Sequence, residues 1–211
     1  MAGLGLAAIA ATLTSGNVRA GTLRTIRLVA LGDSLTAGFG LPPGAAFPAV
    51  LEKAINRADR PVSIANAGVS GDTTSGGLER LDWAVPDGTD GVIVELGAND
   101  MLRGLDPSLT ENNLDQIVGR IREKKMAVLL AGMLAAPNLG PQYGERFAGL
   151  YKRIAEKHGA LLYPFFLDGV AGRAEFTLRD GLHPTVDGVK IIVERIKPVV
   201  ETFVGDIAKS I

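Results

Sequence analysis

The chain of 211 residues contains no cysteine and only two histidines, so thiolate catalysis is excluded and a serine nucleophile would have to draw its base from His158 or His183. His158 closes the helical stretch "IAEKHGALL" ahead of Gly159, where an imidazole is favoured by the helix dipole and reads as a C-terminal cap. His183 stands in "RDGLHPT", three residues after Asp180 and directly before Pro184, which keeps it out of the helix that follows. A D-x-x-H segment bent at Gly181 can bring the Asp180 carboxylate to the imidazole Nδ1–H, fixing the tautomer and leaving Nε2 to take a proton.

The hydroxyl that such a base could serve is Ser34, in "LVALGDSLTAGFG", where an apolar run meets a Gly-Asp-Ser turn. Taken singly, Ser34 reads as a helix cap, Asp180 as an Asx turn and His183 as a loop residue. Asp33 reads as a turn-forming structural residue. The elements around them change that reading.

Apolar or β-branched runs at 26–31, 62–66, 91–96, 126–131 and 160–163 alternate with amphipathic stretches at 46–57, 75–84, 109–124, 142–157 and 186–207, the last with a kink expected at Pro198. Most of the runs are apolar throughout, which implies strands buried on both faces and a three-layer α/β/α sandwich around a five-stranded parallel sheet. In such a sheet, ligands bind beyond the carboxyl ends of the strands. Gly32-Asp33-Ser34 follows the first strand, Gly71 lies in the segment after the second, and Asn99 follows the third. Backbone N–H groups at glycine-containing strand ends, with the Asn99 amide, would suit the oxygen of a tetrahedral acyl intermediate. The coincidence of Ser34, Gly71, Asn99, Asp180 and His183 at one edge of the sheet favours chemistry over five unrelated turn residues.

In order and separation, Gly32-Asp33-Ser34-Leu35, Gly71 in "GVSGDT", Asn99 in "ELGAND" and Asp180-x-x-His183 resemble the four signature blocks of the GDSL or SGNH hydrolases. Within that family the blocks are most similar to the bacterial subgroup of thioesterase I, lysophospholipase L1 and arylesterase. The resemblance implies a flavodoxin-like sheet of order 2-1-3-4-5, Ser34 as nucleophile, His183 as base and then acid, and Asp180 as its orienting partner. It also implies an oxyanion hole made by the N–H groups of Ser34 and Gly71 and the Asn99 side chain, with no cofactor and no metal. Ala98 stands where a well-known exported member of the family has a second glycine, a change expected to leave Asn99 in place.

The expected substrate is a small ester or thioester: an aryl ester, an acyl-CoA or a lysophospholipid. Leu102, Leu105, Leu139 and Tyr143, in the loops after the third and fourth strands, could line an acyl groove or simply pack those loops. The rival reading is a non-catalytic flavodoxin-like module that binds a phosphate or nucleotide at the same glycines. It gives Asp180 and His183 no joint task, and "GFGLPPG" misses the G-x-G-x-x-G spacing. An α/β-hydrolase elbow is also absent, since Asp72 replaces the last glycine of G-x-S-x-G in "GVSGD".

Twenty-two basic against 23 acidic side chains, a net charge of −1, give no electrostatic reason to expect nucleic acid or an anionic membrane as partner. The first twenty residues are small and apolar up to Leu13 and end in Val18-Arg19-Ala20, a pattern compatible with signal-peptidase cleavage after Ala20. The apolar run is shorter than the roughly 20 residues a membrane span needs. The expected organisation is a signal peptide over 1–20 and one hydrolase domain over 21–211, periplasmic or secreted. An uncleaved Ala-rich tail would instead leave the protein cytoplasmic.

Overall fold

The computed structural model describes residues 24–211, so the leader expected over residues 1–20 lies outside the described residues. In chain order the elements are β1 (Ile26–Gly32), α1 (Ser34–Ala37), α2 (Phe47–Ile55), β2 (Val62–Gly68), α3 (Thr74–Glu79), α4 (Leu81–Ala84), β3 (Gly91–Glu95), α5 (Ala98–Leu102), α6 (Pro107–Glu123), β4 (Ala127–Ala131), a 3₁₀ turn at Pro137–Leu139, α7 (Pro141–His158), β5 (Leu161–Tyr163) and α8 (Val186–Ser210). The five strands pair in parallel in the order β2-β1-β3-β4-β5. Helices α2 and α8 pack together, as do α6 and α7, with α3 against α6.

Burial on both faces explains the continuous apolar runs. All five residues of β3 are buried, and Leu31, Val92, Ile93, Val94, Leu129 and Leu130 are fully excluded from solvent. Pro107 in the first turn of α6 and the Asp106 side chain, which accepts from the Ser108 N–H at 2.8 Å, start that helix two residues before the expected position. Helix α8 runs through Pro198 as one element and ends at Ser210, three residues past the expected end at 207.

Two differences from the sequence expectation bear on the sheet's carboxyl edge. The single helix expected over 75–84 is divided at Arg80, which has non-helical backbone angles. Its guanidinium turns inward to donate to Gly32 O at 2.8 Å, Ala67 O at 2.7 Å and Asp72 Oδ2 at 2.6 Å. One buried cation therefore ties the ends of β1 and β2 to the loop that carries Gly71. The short helix α1 is the one implied by reading Ser34 as a helix cap, whereas α5 was not anticipated, because five residues are too few to show a helical period.

Replacing Arg80 by Met would strand Asp72 and two strand-end carbonyls without their donor. Arg80→Met is expected to lower the unfolding free energy by about 3 kcal/mol in urea denaturation. A loss below about 1 kcal/mol would show that the ion pair does not hold this edge together.

Candidate active site

The turn out of β1 is set by Gly32, where a Cβ would collide with the Thr36 hydroxyl and come within 2.7 Å of the Glu95 backbone oxygen. Asp33 then caps α1, its Oδ1 accepting from the Leu35 N–H at 2.9 Å. Ser34 is the first helical residue rather than the cap, and its N–H has no partner among the described residues. The capping task therefore falls to the neighbouring carboxylate and leaves the Ser34 hydroxyl available.

That hydroxyl meets His183 Nε2 at 2.9 Å, and His183 Nδ1 meets Asp180 Oδ2 at 2.7 Å. Gly181, at φ +71°, makes the bend that allows a carboxylate and an imidazole three residues apart to face each other. The other Asp180 oxygen accepts from the N–H groups of Leu182 at 2.9 Å and His183 at 3.0 Å. Those backbone bonds, followed by the imidazole bond, pull the Asp180 pKa down from 3.8 to about 2. Pro184 separates His183 from Thr185, which caps α8. Phe39, from the turn after α1, lies with its ring centroid 4.5 Å from that of His183, a neighbour that nothing in the motif spacing signals.

Asn99 sits in the first turn of α5, after buried Ala98, and donates from Nδ2 to Asp33 Oδ2 at 3.0 Å. The second Nδ2 proton has no acceptor among the described residues. Gly71 lies on the same edge, in the loop between β2 and α3, with φ +82° and an N–H that has no partner among the described residues. Its carbonyl accepts from Arg103 at 2.8 Å. Asp100 accepts from the Thr74 N–H at 2.8 Å and the Thr74 hydroxyl at 2.5 Å, joining the start of α3 to α5. Sequence reasoning missed Arg80, Arg103 and the Asp100–Thr74 pair because their partners come together only in the folded chain.

Ser34, Asn99 and His183 open onto a cavity of about 540 Å³ whose walls are apolar, among them Leu102, Met133, Leu134, Pro137, Phe165 and Leu182. Gly71 is not part of that lining. Of the four loop residues that could have lined an acyl groove, only Leu102 does so. The Tyr143 hydroxyl instead donates to Leu105 O at 2.8 Å, its ring stacks on Phe147, and Leu139 packs against the core, so these three hold the loops in place. His158 ends α7 ahead of left-handed Gly159, as expected, with Nε2 2.7 Å from Asp115 Oδ1.

Two further carboxyls lie beneath Ser34. Burial, opposed by the bonds from Leu35 and Asn99, pushes Asp33 up to about 6. Glu95 is completely buried on β3, with one oxygen bonded to the Thr36 hydroxyl at 2.8 Å and the other without a partner among the described residues. Burial, followed by the nearby Asp33 charge, raises the Glu95 pKa well above its ordinary value.

A hydroxyl, an imidazole and a carboxylate in a hydrogen-bonded row beside an apolar cavity, at the carboxyl edge of a parallel sheet, mark a hydrolase of carboxylic ester bonds. The chain belongs to the GDSL-like lipase/acylhydrolase family, whose sequence profile matches residues 30–191. It is 37% identical over 169 residues to an arylesterase of Vibrio mimicus, covering 80% of this chain and 84% of that one. It is 36% identical over 168 residues to thioesterase 1/protease 1/lysophospholipase L1 of Escherichia coli K12, covering 79% of each. Among solved structures it superposes on AlinE4, an SGNH-hydrolase family esterase, with a TM-score of 0.72, 43% identity and coverage of 86% of this chain and 98% of that one.

The two aspartates couple to pH with opposite signs. Asp33 ionises near 3.8 in the unfolded chain and near 6 when folded, so its contribution to stability is complete below pH 4 and is lost as pH rises to 6. Asp180, depressed to about 2, contributes above pH 4 and loses that contribution as pH falls toward 2. A carboxyl ¹³C titration should place the Asp33 midpoint near pH 6 and Asp180 near pH 2. An Asp33 midpoint at 4 would contradict the effect of burial.

Proposed function

We propose that the protein is a serine esterase and thioesterase that works through an acyl-enzyme. The observation that carries this reading is the row Asp180–His183–Ser34, 2.7 and 2.9 Å between successive partners, at the mouth of the apolar cavity. In the first step Ser34 Oγ attacks the carbonyl carbon of an ester or thioester while His183 Nε2 takes the hydroxyl proton. Asp180 holds Nδ1–H and offsets the charge of the imidazolium. The carbonyl's electron pair moves onto its oxygen, which the N–H groups of Ser34 and Gly71 and the free Asn99 N–H receive. The carbonyl re-forms as the bond to the leaving oxygen or sulfur breaks, and His183 returns the proton to the departing alcohol or thiol. Water, deprotonated by His183, then attacks the acyl-Ser34 ester and releases the acid in the same way.

The cavity walls suit an acyl chain or aryl group better than a phosphate, which would want donors where this cavity presents leucine, methionine and phenylalanine. Relatives named for arylesterase, thioesterase and lysophospholipase activities support carboxylic esters and thioesters as the substrate class. The leader pattern over 1–20 supports export of one domain spanning 21–211 to the periplasm or medium. No helix of the described residues is long and apolar enough to cross a membrane.

A fluorophosphonate probe is expected to label the protein and to lose its target in Ser34→Ala. Labelling that survives this substitution would remove Ser34 as nucleophile. Asn99→Ala is expected to lower kcat on a p-nitrophenyl ester by about a hundredfold or more while the protein stays folded, the usual cost of one oxyanion donor. Turnover near the parent's would take Asn99 out of the oxyanion hole. N-terminal sequencing of protein recovered from the cell envelope or medium should begin near Gly21, whereas an intact Met1 in the cytoplasm would refute export.

A further inference from the structure

We propose that Asp33 is a positioning residue that selects the orientation of the Asn99 side-chain amide, using one carboxylate oxygen to cap α1 and the other to hold Asn99 Nδ2. This role rests on the reading of Asn99 as an oxyanion donor. The Asp33 side chain is fully excluded from solvent, and its two oxygens have separate tasks, Oδ1 on Leu35 N–H at 2.9 Å and Oδ2 on Asn99 Nδ2 at 3.0 Å.

The need for such a partner follows from the symmetry of an asparagine amide. Its NH₂ and C=O ends are nearly equal in size, and a half-turn about the last side-chain bond exchanges them. With nitrogen inward, one N–H reaches Asp33 and the other is left for the substrate oxygen. With oxygen inward, Asn99 would set a carbonyl against Asp33 and present a partial negative charge where negative charge develops. An ionised carboxylate accepts hydrogen bonds and donates none, so at 3.0 Å it favours the first orientation, and the charge-assisted bond is stronger than a neutral one. Capping alone does not require aspartate, since serine, threonine or asparagine caps a helix about as well. What these cannot do is offer two acceptors, one to each partner.

The test is a double-mutant cycle at pH 8, where Asp33 is ionised, with a p-nitrophenyl ester as substrate. Asp33→Ser keeps a capping oxygen and removes the one facing Asn99. It is expected to lower kcat by about ten- to a hundredfold, short of the full cost of a lost donor, with KM changed by less than about twofold. In an Asn99→Ala background the same substitution should cost less than about threefold, because nothing is left to orient. An equal cost in both backgrounds, or no cost in the parent, would overturn the proposal. Asp33→Asn, whose single carbonyl can serve Leu35 or Asn99 but not both, is expected to behave like the serine variant and serves in its place if that variant fails to fold. A second readout needs no activity. With ¹⁵N-asparagine labelling, the two Asn99 Nδ2 protons should be widely separated in the parent and draw together in Asp33→Ser, and an unchanged pair would refute the positioning role. Failure of the reading on which this rests looks different, since Asn99→Ala would then turn over like the parent while the Nδ2 protons still report the Asp33 contact.

Discussion

A single hydrogen bond of 2.9 Å, from Ser34 Oγ to His183 Nε2, joins residues 149 apart in sequence, and much of the architecture meets there. Ser34 is presented by the end of β1, near the middle of the sheet, and His183 by the segment between β5, at the sheet's edge, and α8. Closing that distance to hydrogen-bonding range requires β1, β3, β4 and β5 in parallel register. From there α8 returns across the sheet and packs on α2, the second helix after β1. The fully buried Val189, Ile192, Ile196 and Val200 on α8 supply the apolar contact that holds this return path. The fold thus brings the carboxyl-terminal helix back to the first strand.

Three carboxyls within the same edge have been driven to different states by their surroundings. Asp180 lies near solvent and accepts two backbone N–H bonds as well as the imidazole, so it stays ionised far below neutral pH. Glu95 is wholly buried with a hydroxyl as its side-chain partner, and its pKa is raised well above the ordinary value. Asp33 lies between them, buried yet given two donors, and titrates near 6. Two negative charges packed under Ser34 would raise the energy of the oxyanion proposed to form above it. The upward shift of Glu95 works against a second negative charge beside Asp33, whose two oxygens accept from Leu35 and Asn99.

The strands could be read from sequence because burial on both faces leaves them continuously apolar, and their observed limits differ from the expected ones by no more than two residues. The contacts among Ser34, His183 and Asp180 were legible for another reason: with no cysteine and two histidines, few combinations of base and nucleophile were available. Arg80 looked like one more polar residue on a helix, since its partners Gly32, Ala67 and Asp72 converge only through tertiary structure. Glu95 was hidden inside an apolar run, where burial penalises its charged form and raises its pKa. The loop residues Leu105, Leu139 and Tyr143 were ambiguous because apolar side chains pack loops as readily as they line grooves.

Helix capping and nucleophilic attack make opposed demands on a serine hydroxyl. A hydroxyl that accepts from N–H groups one turn ahead is turned toward the backbone and away from solvent. At the end of β1 the conflict is resolved by shifting the cap back one residue to Asp33, so that Ser34 enters the helix with both its N–H and its hydroxyl facing outward from the turn. The second oxygen of Asp33 is then free to bond Asn99 on a different strand end. A serine or threonine at 33 could meet the first demand, but only a residue with two acceptors caps α1 and joins it to the first turn of α5 at once. The Gly-Asp-Ser order is therefore a constraint on backbone and side chain together: glycine for the space under Thr36 and Glu95, aspartate for the two bonds, and serine for a hydroxyl relieved of capping.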